Sequence, residues 1–120
     1  TKIYMRNFKN YDFWIDSMYL AKIIYQLTNS FPKYDAIINQ MQRAAVSIPS
    51  NIAEGSSRKS SIEFARYLEI STGSAFELET QIELSYMLKY INDDEYNKLT
   101  KYIQSIEKRL FSFIKKLRTQ

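Results

Sequence analysis

Charge is the chemistry that this sequence repeats. Lys101, Lys108 and Lys115 follow one another at intervals of seven, and Arg109 and Lys116 run beside them at the same interval. Seven residues are close to two helical turns, so on a helix these five side chains form one stripe. From Lys98 to Arg118 there are seven basic residues, and the one acid among them is Glu107. A stripe of one sign attracts phosphate backbones without reading bases. It attracts acidic membranes or acidic protein surfaces as well. The plain alternative is a solvated helix exterior, although mixed signs serve solubility equally well.

Little other chemistry is available. The 120 residues include no cysteine, which removes thiol catalysis, disulfides and thiolate metal sites together. No histidine is present, so the usual general base and commonest metal ligand are missing. Gly55 and Gly73 are the two glycines, too few and too far apart for a phosphate loop or a dinucleotide fingerprint. A carboxylate metal site at Glu54 and Glu63 finds no further ligands nearby in sequence. The chain therefore reads as non-enzymatic, without cofactor or metal. Ten tyrosines and seven phenylalanines could stack on unpaired bases, but in a helical protein they read first as core and interface filler. No stretch approaches the ~20 apolar residues of a membrane span. No signal peptide is visible at the start, and a cytoplasmic location is expected.

The stripe needs a helix, and helical periodicity dominates the chain. Residues 1–10 read as an arm, with Ile3, Tyr4, Met5 and Phe8 available for packing. A first helix is expected from Asn10–Asp12 to before Phe31-Pro32, with Trp14, Met18, Ala21, Tyr25 and Thr28 on its apolar face, flanked by Leu20, Ile24 and Leu27. A second opens near Tyr34-Asp35 and runs to Glu54 on Ile37, Met41, Ala44, Ile48 and Ile52. Pro49 lies inside it and is expected to kink it, and Gly55 is expected as a left-handed C-terminal cap. The third begins at Ser60-Ser61-Ile62-Glu63, a capping box, and keeps 4,3 spacing through Phe64, Leu68, Ser71, Ala75, Leu78, Ile82 and Ser85. Asn92 and Glu95 repeat the box before Leu99, Ile103, Ile106, Leu110, Phe113 and Leu117. The basic stripe falls opposite that last apolar face. One domain is expected, an all-α, antiparallel, up-down-up-down four-helix bundle.

Two helices carry more apolar surface than a monomer needs. Ile70, Leu84, Leu88 and Ile91 lie well away from the Phe64–Ile82 stripe, and Phe76 stands on a further side. Ile15, Tyr19 and Ile23 lie opposite Trp14. Scattered surface hydrophobes are ordinary, but clustering on two helices points to a subunit interface.

The segment from Gln40 to Ser74, QMQRAAVSIPSNIAEGSSRKSSIEFARYLEISTGS, resembles the four-helix bundle proteins encoded in intervening sequences of bacterial 23S ribosomal RNA genes. That family also contains the accessory variability determinant proteins of diversity-generating retroelements. The resemblance extends from Asn7-Phe8-Lys9 and Trp14, through Phe31-Pro32, to Leu78-Glu79-Thr80-Gln81 and the helix-four pattern. It implies a barrel-like homopentamer and one long bent second helix across Pro49. For the accessory-determinant members it implies binding of nucleic acid and a reverse transcriptase through a basic surface.

Arg43, Asn51, Glu54, Arg58 and Glu63 match the polar positions of the family motif. They form either a site for RNA or a partner, or a structural network between the second and third helices; the structural reading leads. Two departures from the family are visible. The chain has Gln42-Arg43 where the family commonly has two basic residues, and Lys89 where it often has glycine. The leading functional reading is a homo-oligomeric scaffold that binds RNA or DNA through the basic stripe. The alternative is an adaptor that docks an acidic protein.

Overall fold

The computed structural model describes residues 6–120, so the contacts expected of Ile3, Tyr4 and Met5 lie outside the described residues. A single 3-10 turn, Phe8–Asn10, leads into four helices: α1 (Asp12–Thr28), α2 (Ala36–Ser56), α3 (Ser61–Met87) and α4 (Asp93–Arg118). No strand occurs among the described residues. The helices lie side by side in a body of 54 × 23 × 20 Å, with α1 touching α2 and α4, and α3 touching α2 and α4.

Local chemistry sets the helix starts. The Asp35 side chain accepts from the Ile37 N–H at 3.0 Å and begins α2. That bond first, then the Tyr90 hydroxyl, holds the Asp35 carboxyl below its ordinary range. Ser60 Oγ accepts from the Glu63 N–H at 3.1 Å, and Asn92 with Glu95 makes both halves of a capping box at 2.8 and 2.9 Å. Paired contacts then give the direction of the helices. Glu69, Glu79 and Glu83 on α3 bond Arg118, Gln104 and Tyr96 on α4, so rising numbers on one helix meet falling numbers on the other. Met41, Ile48 and Ser47 of α2 meet Ser85, Ser71 and Ser74 of α3 in the same opposed sense.

The core is built from the faces expected for α2, α3 and α4. Phe64, Leu68, Ser71, Ala75, Leu78, Ile82 and Ser85 are all buried, as are Leu99, Ile103, Ile106, Leu110 and Leu117. Three local expectations are corrected. On α1 the buried positions are Phe13, Ser17, Leu20, Ile24 and Thr28, while Met18 and Tyr25 are exposed and Trp14 is half-buried. The helix is turned by about one residue because Phe13 completes an aromatic cluster with Tyr11 (5.1 Å) and Phe113 (5.3 Å), to which Phe64 adds a contact with Phe113 at 5.8 Å. Trp14 packs edge-on against Phe8 instead. Ile91, read as surplus surface, follows the end of α3 and is buried in the core.

Gly55 does not cap α2 with a left-handed residue. It lies inside the helix, and no glycine among the described residues has a positive φ. Its role is steric, because a Cβ there would stand 2.5 Å from Tyr67 Cβ on α3. Among the described residues the left-handed positions are Tyr34 (φ 68°) and Lys89 (φ 63°), both at the end of the bundle where Tyr90 bonds Asp35. α2 continues through Pro49, which is buried. Around it, Ser71 Oγ donates to the Ile48 carbonyl at 2.9 Å, and Asn51 Nδ2 donates to the Ser47 carbonyl at 2.8 Å. These side chains tie the proline-bearing stretch of α2 to itself and to α3.

Candidate nucleic-acid interface

α4 presents Lys101, Lys108, Lys115 and Lys116 to solvent. Its apolar residues hold it against the bundle by the opposite face, so the lysines point away from the core. Among the described residues none of these four lysines is in an ion pair, and Lys98, further up, is paired with Asp94 at 3.1 Å. The single acid of this stretch, Glu107, is 9% exposed. Thus the solvent side of α4 from Lys98 to Arg118 bears no exposed carboxylate of its own, which length and net charge alone do not reveal.

Arg109 stands apart from the other four. It turns toward α1, where its guanidinium meets Asp16 at 2.7 Å and Asp12 at 3.5 Å. It also donates to the Ser105 carbonyl and hydroxyl at 3.2 Å. The expectation that all five basic residues share one open face is corrected to four. Seven-residue spacing placed Arg109 beside Lys116, but carboxylates supplied by α1 could not be read from α4.

The motif residues divide. Asn51 donates to Ser47 Oγ at 3.0 Å, and Ser47 Oγ lies 2.8 Å from Ser74 Oγ on α3. Arg58 pairs with Glu54 at 3.1 Å, donates to the Tyr67 hydroxyl at 2.6 Å and lies over the Tyr67 ring at 4.8 Å. Asn51, Glu54 and Arg58 therefore sit in contacts around the α2–α3 junction, where Gly55 lets the helices close. Arg43 is exposed on the flank of α2, and Glu63 is exposed in the first turn of α3 with its N–H capped by Ser60. The structure does not bring these two into the Arg58 cluster.

Of the eight residues read as surplus apolar surface, all but Ile91 are exposed in the single chain. Ile15, Tyr19 and Ile23 lie on α1, and Ile70, Phe76, Leu84 and Leu88 lie on α3 and just past its end. Ile23 also lines an open groove of about 770 Å³ between α1 and α4, with Leu27, Leu99 and Tyr102 as its apolar surface and Lys98 and Lys101 beside them. Sequence periodicity pointed to Ile23 but not to the groove, which exists because α1 and α4 meet over less of their length than the other neighbours.

Among the described residues no three acidic side chains cluster to hold a metal ion. No helix among them is long and apolar enough to cross a membrane. The most perturbed titrating group is Glu107, whose carboxyl is pushed up to about 8 by burial first, then by the hydrogen bond and charge of Glu79.

No curated protein matches the chain. Among solved structures, the chain is similar to a protein of unknown function from the S23 ribosomal protein family of Bacteroides thetaiotaomicron. The two are 28% identical with a TM-score of 0.80, over 86% of this chain and 98% of that one. The sequence model of the 23S rRNA-intervening sequence proteins matches residues 9–112, which run from within the 3-10 turn through the first three helices and most of α4. With four helices, the polar α2–α3 junction and that match together, the chain belongs to the 23S rRNA-intervening sequence protein family.

Proposed function

We propose that this protein is a homo-oligomeric scaffold that binds RNA or DNA through the outward face of α4, in the cytoplasm and without catalysis. The observation that carries the reading is the exposed row Lys101, Lys108, Lys115 and Lys116 with no accompanying exposed carboxylate. A row of this kind neutralises phosphates and releases their counterions, which gives affinity without base readout. Repetition by symmetry turns one short row into a band several times longer, and the exposed apolar residues of α1 and α3 supply surfaces for that repetition. The family's association with ribosomal RNA genes agrees with a nucleic-acid partner.

A second reading, an adaptor docking an acidic protein, has one observation in its favour. The lysine row begins beside the apolar groove between α1 and α4, a pairing that suits a protein segment with both acidic and apolar residues. One set of variants separates the two. Lys108→Glu, Lys115→Glu and Lys116→Glu together should abolish binding to a structured RNA while circular dichroism stays unchanged, because all three side chains lie in solvent. Arg43→Ala should leave that binding intact. Wild-type RNA affinity in the triple variant, or its loss in a folded Arg43→Ala protein, refutes the assignment to α4.

A further inference from the structure

Phe111 is a large apolar side chain that the bundle leaves in water. It is 68% exposed on α4, whereas Phe113, two positions on, packs into the aromatic cluster of Tyr11, Phe13 and Phe64. Single exposed hydrophobes are ordinary, so exposure alone assigns nothing. Its neighbours set it apart. Lys108 lies one turn before it and Lys115 one turn after, both exposed and neither in an ion pair among the described residues. Residues three and four apart on a helix share a face, so the order along the solvent side is ammonium, ring, ammonium.

The acids that α3 brings toward this face are engaged at its two ends. Glu69 meets Arg118, seven residues after Phe111, at 2.6 Å, and Glu79 accepts from Gln104, seven residues before it, at 3.0 Å. Glu107, four positions before Phe111, is buried. Phe76 makes the contrast. It is the other exposed phenylalanine among the described residues, at 55%, but Glu69, Glu79 and Glu83 share its stripe on α3. Carboxylates around a ring repel a phosphate chain, and ammonium groups around a ring attract it.

A nucleotide strand presents phosphate, base and phosphate in turn, and where it is unpaired the base face is open. The Cα atoms of Lys108 and Lys115 stand about 4.5 Å before and about 6 Å after that of Phe111 along the helix axis. Flexible lysine stems let their charges settle on either side of the ring. Between Lys101 and Lys108 the surface dips into a hollow of about 400 Å³ bordered by Gln104 and Ser105, which gives the strand a path to the next lysine. We propose that Phe111 is a stacking site for an unpaired base of a single-stranded nucleic acid whose flanking phosphates lie on Lys108 and Lys115. The inference rests on the phosphate-binding reading of α4 above and narrows its ligand to unpaired strand. Every base has a π-face, so sequence preference stays weak. A duplex keeps its base faces closed against one another and engages the lysines alone.

Fluorescence anisotropy with one labelled RNA oligonucleotide, free and annealed to its complement, tests this at several salt concentrations. Phe111→Ala should weaken single-strand binding about 5–140-fold, the range for one stacked base. Duplex affinity and both salt slopes should stay as in wild type, because no phosphate contact is lost. Phe111→Trp should keep single-strand binding, while Phe111→Leu, apolar without a π-face, should bind as weakly as the alanine variant. The side chain lies in solvent and alanine favours helix, so circular dichroism and sedimentation should not change. Wild-type single-strand affinity in Phe111→Ala, an equal loss for strand and duplex, or full binding by Phe111→Leu overturns the stacking site while leaving the lysine row standing. A sedimentation shift in Phe111→Ala makes the ring a contact between copies and overturns it as well. Wild-type protein that binds neither RNA at low salt overturns both readings.

Discussion

Replacing Gly55 by alanine introduces one methyl group at the tightest approach between α2 and α3. The new Cβ would stand 2.5 Å from Tyr67 Cβ and 3.1 Å from Phe64 Cδ1. Tyr67 Cβ moves only with the α3 backbone, and the ring beyond it is held by Arg58 at its hydroxyl and its face. The helices must separate by about 1 Å to restore an ordinary contact, and overpacking of this kind costs about 1–3 kcal/mol. Helix propensity returns up to about 1 kcal/mol, and less than that in the final turn of α2. The net expectation is a loss of roughly 1–2 kcal/mol, or roughly 3–6 °C in Tm per kcal/mol at this chain length. Gly73 is the control. It lies in the middle of α3, and a Cβ there meets nothing within 4 Å, so Gly73→Ala should gain up to about 1 kcal/mol from propensity alone. Urea unfolding of dilute protein, followed by circular dichroism, measures both. Two substitutions of the same sign, or a Gly55→Ala protein as stable as wild type, would refute the close-approach account.

Lys89 takes a left-handed conformation to close α3, with its N–H on the Tyr86 carbonyl and the Tyr90 N–H on the Ser85 carbonyl. Lys89→Gly should raise stability by about 1 kcal/mol in the same unfolding assay, since glycine adopts that conformation without strain; a loss would contradict the cap. Glu107 keeps its proton to about 8 in the folded protomer, against an ordinary value of 4.5, so its contribution is present below 4.5 and is lost as pH rises through about 8. Dilute wild-type protein should therefore lose stability across that window, and Glu107→Gln should flatten the decline. An unchanged pH profile in the variant would count against the buried carboxyl.

The parts of the fold legible in the sequence were those governed by contacts within one helix. All seven α3 positions picked out by strict 4,3 spacing are buried, because Ser60 marks the start and those seven are apolar or small; Ala65 and Gln81, also buried, lie beside that stripe. α1 was harder because Phe13 and Trp14 are adjacent, either can lead an apolar stripe, and the choice depends on Phe64 and Phe113 far along the chain. The glycine at position 55 looked like a cap from its place before a serine-rich loop; only the neighbouring helix reveals that it is there for space. Lys89 hid a left-handed position because lysine carries no such signal. In the candidate site, lysine spacing was enough to find four exposed residues. It could not find the Asp12 and Asp16 partners of Arg109, nor the burial of Glu107, because both depend on how α1 and α3 lie against α4.

Salt dependence of RNA binding by the wild-type protein tests the central reading most directly. Each phosphate neutralised should add about 0.7–0.9 to the slope of log affinity against log salt. Lys108, Lys115 and Lys116 together should therefore give a slope of roughly 2 or steeper, similar for RNAs of different sequence. Binding that does not weaken with salt, or no binding at low salt, would contradict a phosphate-binding face on α4.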